Sequence, residues 1–170
     1  MKPTAELLLT IESFHELGET IAAANYLLEK YQLQHPFLKE FVLRESAKPN
    51  FILLTTEGKF GEPQVIRIPE NFFEFDLIML LNLLVHEMIH VEQKSHLTIF
   101  PDKNEREWQA YYEMIFHKVY PQIPKTSTYH KKFFTNKDLE YYNQIDENSI
   151  LQLKYASQKK EIDDFLKNLE

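Results

Sequence analysis

Residues 86–90 read His86-Glu87-Met88-Ile89-His90, two imidazoles and a carboxylate at a spacing that suits one kind of chemistry. On an α-helix, residues four apart lie one turn above each other. His86 and His90 then share a face and can offer two ring nitrogens to one cation. Imidazole suits zinc, and a catalytic Zn2+ keeps three protein ligands and an open fourth position for water. Glu87 stands beside the pair, where it can take a proton from a metal-bound water and later deliver it to a leaving amine. The flanking residues Leu80, Leu81, Leu84, Val85, Met88 and Ile89 are apolar. Two histidines and a glutamate in such a helix are costly to bury without partners, and a bound ion removes that cost.

Three residues compete to be the third ligand. Glu107, in Glu107-Trp108-Gln109-Ala110, would sit on the next helix, with small Ala110 allowing close approach to the metal helix. Glu105 is the rival, although its position three residues after Asp102 also fits a capping box, a purely structural job. His96 follows His90 by six residues, a route that needs the helix to end sharply, and Gln93 stands where a glycine would do that. Among further polar groups, Tyr111, Tyr112 or His117 could donate to an oxyanion near the metal. Core packing is the ordinary role for such tyrosines. His15, His35 and His130 have no partner spacing and read as surface or loop residues.

These residues need elements to hold them. Asp76 or its neighbours start a strong helix running to about Lys94, apolar nearly all the way round and therefore central. Phe51–Thr56 and Val65–Ile68 read as two strands separated by the turn-forming stretch 57–63 and closed by Pro69. Asp102 opens a helix expected to reach about Tyr120, stopped by Pro121 and Pro124. Towards the N-terminus, Thr4 caps a helix with Leu7, Ile11 and Phe14 on one face, Gly18 ends it, and Thr20 starts a second one reaching Tyr31. A short amphipathic piece spans Phe37–Leu43. Ser149 or Asn148 caps one last helix with Ile150, Leu153, Ile162, Leu166 and Leu169 on its apolar side. Residues 126–143 carry no clear pattern.

With these elements in place, the sequence resembles the zincin metallopeptidases. Val65–Ile68, then Leu77–Val85, then His86-Glu87-Met88-Ile89-His90 look like their strand, active-site helix and HExxH. Ile66-Arg67-Ile68 with Leu84-Val85-His86-Glu87-Met88-Ile89-His90 is similar to the SprT-like proteases. The Glu107-x-x-Ala110 arrangement looks instead like the gluzincin branch. Trp108 matches a SprT-like aromatic position, and Asn104 stands where those proteins have a histidine. The likeness covers residues 50–120. It implies a zinc peptidase in which His86 and His90 bind the metal, Glu87 is the general base, and a strand such as Val65–Ile68 forms the cleft edge that pairs with an extended substrate. A zincin-like protein without turnover, acting as a metal-binding or interaction module, is the alternative.

Composition sets the remaining bounds. The chain has 170 residues, a formal charge of −7, 44% hydrophobic residues and no cysteine. That suits a single domain over 1–170, a zincin-like core at about 50–120 with helical additions at both ends. The absence of cysteine excludes disulfides, thiolate zinc sites and a thiol nucleophile. The acidic balance argues against nucleic acid, which wants a basic face. No apolar run is long enough for a membrane helix and no export signal is evident, so a cytoplasmic protein acting on peptides or proteins is expected. The expected fold class is α+β: a helix-rich domain with a small sheet or hairpin and the HExxH helix at its centre.

Overall fold

The computed structural model describes residues 3–95, 100–147 and 149–168. The fold is α+β. In chain order it runs α1 (Ala5–Glu16), α2 (Thr20–Lys30), β1 (Leu38–Arg44), β2 (Thr55–Glu57), β3 (Gln64–Pro69), α3 (Leu77–Gln93), α4 (Lys103–Phe116), α5 (Thr128–Gln144), α6 (Ile150–Lys154) and α7 (Ala156–Lys167). A short 3-10 turn, Phe72–Glu74, precedes α3.

The three strands form one mixed sheet in the order β1-β3-β2. In β3, Ile66 and Ile68 face the core with no exposed surface, while Arg67 points outward to Glu57 at 2.8 Å. β1 pairs with β3 in parallel and β2 in antiparallel fashion, both centred on Ile66, against Phe41 and Thr56 respectively. Two sequence expectations are corrected here. The piece at Phe37–Leu43 is strand for most of its length, and β3, expected as the cleft edge, lies between two neighbours with its backbone paired on both sides. The free edge next to the HExxH helix belongs to β2. The run expected as strand over Phe51–Thr56 joins the sheet only from Thr55. In register, Leu53 would meet Pro69, which has no N–H to continue the ladder.

Two apolar cores result. The first joins α1, α2, the sheet and α3 around Leu27, Ile66, Ile68, Phe72 and Leu84. The second joins α4, α5 and α7 around Trp108, Met114, Phe134 and Ile162. α1 and α2 contribute to the first core, and α5 and α7 to the second. Thr4 caps α1 through its hydroxyl to the Leu7 N–H, and Gly18 supplies the left-handed residue after that helix at φ +70°. α2 starts at Thr20, as expected, and the Thr20 hydroxyl donates to the Glu70 carbonyl, tying α2 to the end of β3.

α3 begins at an Asp76 cap on the Met79 N–H at 2.8 Å. α4 begins at an Asp102 cap on the Glu105 N–H, also at 2.8 Å. It ends at Phe116, earlier than the two prolines require. The buried Glu113 carboxylate accepts the N–H groups of Lys118, Val119 and Tyr120, and His117 turns left-handed at φ 50°. Burial raises the Glu113 carboxyl above its usual range, and those N–H bonds offset this only in part. The final helix expected from Ser149 is broken at Tyr155, whose ring is drawn inward. Ile150 and Leu153, expected on an apolar face, are 84% and 71% exposed. Among the described residues, no helix is long and apolar enough to cross a membrane.

Candidate metal centre

α3 and α4 pack antiparallel along the seam between the two cores. Gln93 meets Arg106 and Gln109, while His86, further back on α3, meets the Tyr111 ring at 4.6 Å between centroids. Between those contacts lie His86, His90 and Glu107, whose potential ligand atoms all fall within 4.8 Å of one another. The His86 and His90 Nε2 atoms are 3.0 Å apart. Glu107 oxygens lie 3.4 Å from His86 Nε2 and 3.6 Å from His90 Nε2. Ligands at about 2.05 Å around a tetrahedral zinc would be separated by about 3.4 Å, so this triangle has the size of such a site.

The hydrogen bonds fix how His90 points. Gln93 donates its Nε2 to the Arg106 carbonyl at 3.0 Å, and a carbonyl can only accept. The Gln93 Oε1 therefore faces His90 Nδ1 at 2.8 Å and must accept from it. That leaves the His90 Nε2 lone pair facing the Glu107 carboxylate at 3.6 Å, with His86 Nε2 at 3.0 Å, and a cation among them would meet these acceptors. A proton answers the same demand. Burial alone would lower the His90 pKa, but Glu107 and Glu87 nearby raise it overall. Burial likewise pushes Glu107 up, and the two imidazoles more than reverse this, holding its carboxyl well below the usual range. Among the described residues His86 has no such orienting partner: its Nδ1 is buried without a hydrogen bond.

Glu87 lies on the sheet side of α3. Its carboxylate accepts the Thr56 hydroxyl at 2.7 Å, so the middle residue of β2 holds the expected general base. Tyr111 lines the same cleft, and burial together with the Glu107 charge raises its pKa, keeping the phenol protonated and able to donate.

Of the two glutamates weighed as third ligand, Glu107 is the one beside the histidines. Glu105 is buried on the other side of α4, where its Oε1 accepts Tyr155 Oη–H at 2.6 Å and Lys154 Nζ at 2.8 Å. It still touches the centre through a relay, since Tyr155 meets Gln109 and Gln109 meets Gln93. Its carboxylate is thus committed to α6 and Tyr155 and does not return to its own helix start as a full capping box would require. His96 lies outside the described residues. Tyr112 bonds to Glu161 and His117 to Asn82, both away from the cleft, so Tyr111 is the one oxyanion candidate that reaches it.

Two weakly regarded histidines have defined surroundings. His130 lines the cleft and stacks on Phe134, and His35 pairs with Glu92 across 57 residues of sequence. His15 is exposed, as expected. Sequence reading missed Gln93 and Thr56 as parts of the site. Gln93 stands three residues after His90, on the same helical face, and that spacing is the signal that could have found it.

Searches against protein-family models, curated proteins and solved structures give no significant match to the chain.

Proposed function

We propose that the protein is a zinc-dependent peptidase of zincin type, hydrolysing peptide bonds in peptide or protein substrates. The observation that carries this reading is the convergence of His86 and His90 from one helix with Glu107 from the next, with Gln93 turning the His90 Nε2 lone pair into the triangle. His86, His90 and Glu107 would hold the metal. When bound there, zinc supplies a water of lowered pKa and polarises a carbonyl oxygen. Glu87, steadied by Thr56, accepts the proton of the attacking water and passes it to the departing amine nitrogen. Tyr111 donates to the oxygen on which negative charge develops. The free edge of β2, which runs past Glu87, offers backbone groups to an extended substrate strand.

Elemental analysis of protein purified without chelator tests the metal and is expected to find about one zinc per chain. Glu87→Gln is expected to keep the zinc and lose peptide cleavage. Protein that takes up no zinc when zinc is supplied, and cleaves nothing, would end the proposal. A second reading, a metal-holding interaction module without turnover, has in its favour the His86 Nδ1, which has no partner among the described residues, since histidines at catalytic metals are usually oriented through their second nitrogen. Zinc retained by a wild-type chain that cleaves no member of a broad peptide library would select it.

A further inference from the structure

The cleft in front of the triangle encloses about 620 Å³ and has two chemically different ends. Four chain segments run along it, and their order defines its direction. On α3, Met79 and Leu83 come before His86, and Lys94 comes one turn after His90. α4 runs the opposite way, with Tyr111 beside His86 and Arg106 beside Gln93, so that Lys103 and Arg106 lie towards Lys94. α5 is antiparallel to α4, its far end held by Asn104 on the Gln144 carbonyl, which sends Tyr129 and Phe133 to the other end. The segment before β2 agrees: Thr56 accepts Lys94 Nζ at its carbonyl, and Phe51 and Leu53 lie further back. One end therefore carries Lys94, Lys103 and Arg106, the other Phe51, Leu53, Tyr129 and Phe133, all four of them exposed.

The three cations have no carboxylate within 4.0 Å among the described residues. Lys94 spends one proton on the Thr56 carbonyl, and Arg106 reaches the carbonyls of Phe100 and Pro101 with its guanidinium over the Phe60 ring. The acidic group on the neighbouring strand, Glu57, is taken by Arg67 at 2.8 Å. In a chain with 26 acidic and 19 basic residues, three cations with no ion-pair contact among the described residues at one mouth of a cleft can receive an anion, even with Glu87 and Glu107 acting on Lys94 from further along the cleft.

We infer that the cleft takes its peptide in one direction, with a carboxylate at the Lys94–Lys103–Arg106 end and an apolar or aromatic side chain at the Phe51–Phe133 end. This rests on the peptidase reading. Four residues of helix separate His90 from Lys94, about 6 Å at 1.5 Å per residue. An extended peptide covers that in about two residues, so the carboxylate belongs about two residues from the bond to be cut. An acidic side chain and the C-terminus of the peptide itself carry the same group, and the test separates them.

The test uses zinc-loaded Glu87→Gln protein and calorimetric titration with three peptides that share an aromatic residue. One has a glutamate and an amidated end, one a glutamine and a free carboxylate at that position, and one a glutamine and an amidated end. The first or the second is expected to bind about tenfold or more tightly than the third, and Arg106→Gln is expected to level them. Lys103→Gln, on an exposed side chain, serves the same purpose if Arg106→Gln does not fold. Equal binding of all three, no binding of any, or a preference that survives both substitutions overturns the inference. Wild-type cleavage of the same peptides separates this from the peptidase reading. Equal cleavage of all three keeps the peptidase and removes the carboxylate preference. Selective binding without cleavage keeps the preference and removes the peptidase.

Discussion

Gln93 has only 2% of its surface exposed and joins the HExxH helix to the helix bearing Glu107. Replacing it with leucine keeps the volume and removes the acceptor that holds His90 Nδ1–H. The His90 ring can then turn, and either tautomer becomes available, so its Nε2 no longer points into the triangle by default. Loss of such an orienting partner typically weakens metal binding by about 10- to 100-fold, which is about 1.4–2.7 kcal/mol of binding free energy. Gln93→Glu retains an oxygen for the same N–H and is expected to hold zinc within a few-fold of the wild type. Affinity is read by competition with a chromophoric chelator at fixed pH. Melting of the zinc-free proteins, run in parallel, separates the loss of the Arg106 and Gln109 contacts from the effect on the metal. A Gln93→Leu protein that binds zinc as tightly as the wild type would refute the tautomer argument.

Four further outcomes are expected. Thr56→Val should lower kcat with little change in KM, by less than the 10²–10⁴-fold attached to loss of a general base, because Glu87 remains but is no longer held. Burial, helped by the Lys125 and Lys131 charges, pulls the His117 pKa down to about 4, so the unfolded chain binds the proton more readily. Stability is then full above about pH 6.5 and falls towards pH 4, by about 1–3 kcal/mol after allowing for solvent screening, in denaturant titrations; His117→Asn should flatten that slope. Burial pushes Asp138 up to about 9, and neither of its oxygens has a partner among the described residues. Here the folded state holds the proton that the unfolded chain releases, so stability falls as pH rises from about 4 to about 9, and Asp138→Leu should add about 2–4 kcal/mol at pH 7. Trp108→Ala should cost about 3–5 kcal/mol in thermal or denaturant unfolding, since the indole is fully buried and its N–H bonds Gln158 at 3.1 Å.

The sequence made α3 legible almost to the residue, because a capping aspartate, a long apolar run and a polar exit all mark the same helix. α5 was not legible for the opposite reason. It buries only Phe134, Thr135 and Asp138, so its inward face is half polar and shows no helical period. The strand at Leu38–Arg44 was obscured by a register shift near Leu38 and by a single fully buried side chain, Phe41. Which strand lies at the edge is a property of pairing across the sheet, and no local pattern in β3 records that β2 lies outside it.

The choice between Glu105 and Glu107 shows where local reasoning stops. Residues two positions apart on a helix point about 200° apart, so only one of the two can face α3, and the sequence alone does not say which. Tertiary contacts decide it. Gln93 meets Arg106 and Gln109, which straddle Glu107, and Tyr155 captures Glu105 on the opposite side. The centre consequently draws its imidazoles from a helix of the first core and its carboxylate from a helix of the second. An ion bound at that seam would bridge both cores, and its binding free energy would resist their separation as well as serve the chemistry. The same placement explains the polar chain from His90 through Gln93, Gln109 and Tyr155 to Glu105. Polar groups buried between two cores need partners there, and each residue of this chain supplies the hydrogen bond its neighbour lacks.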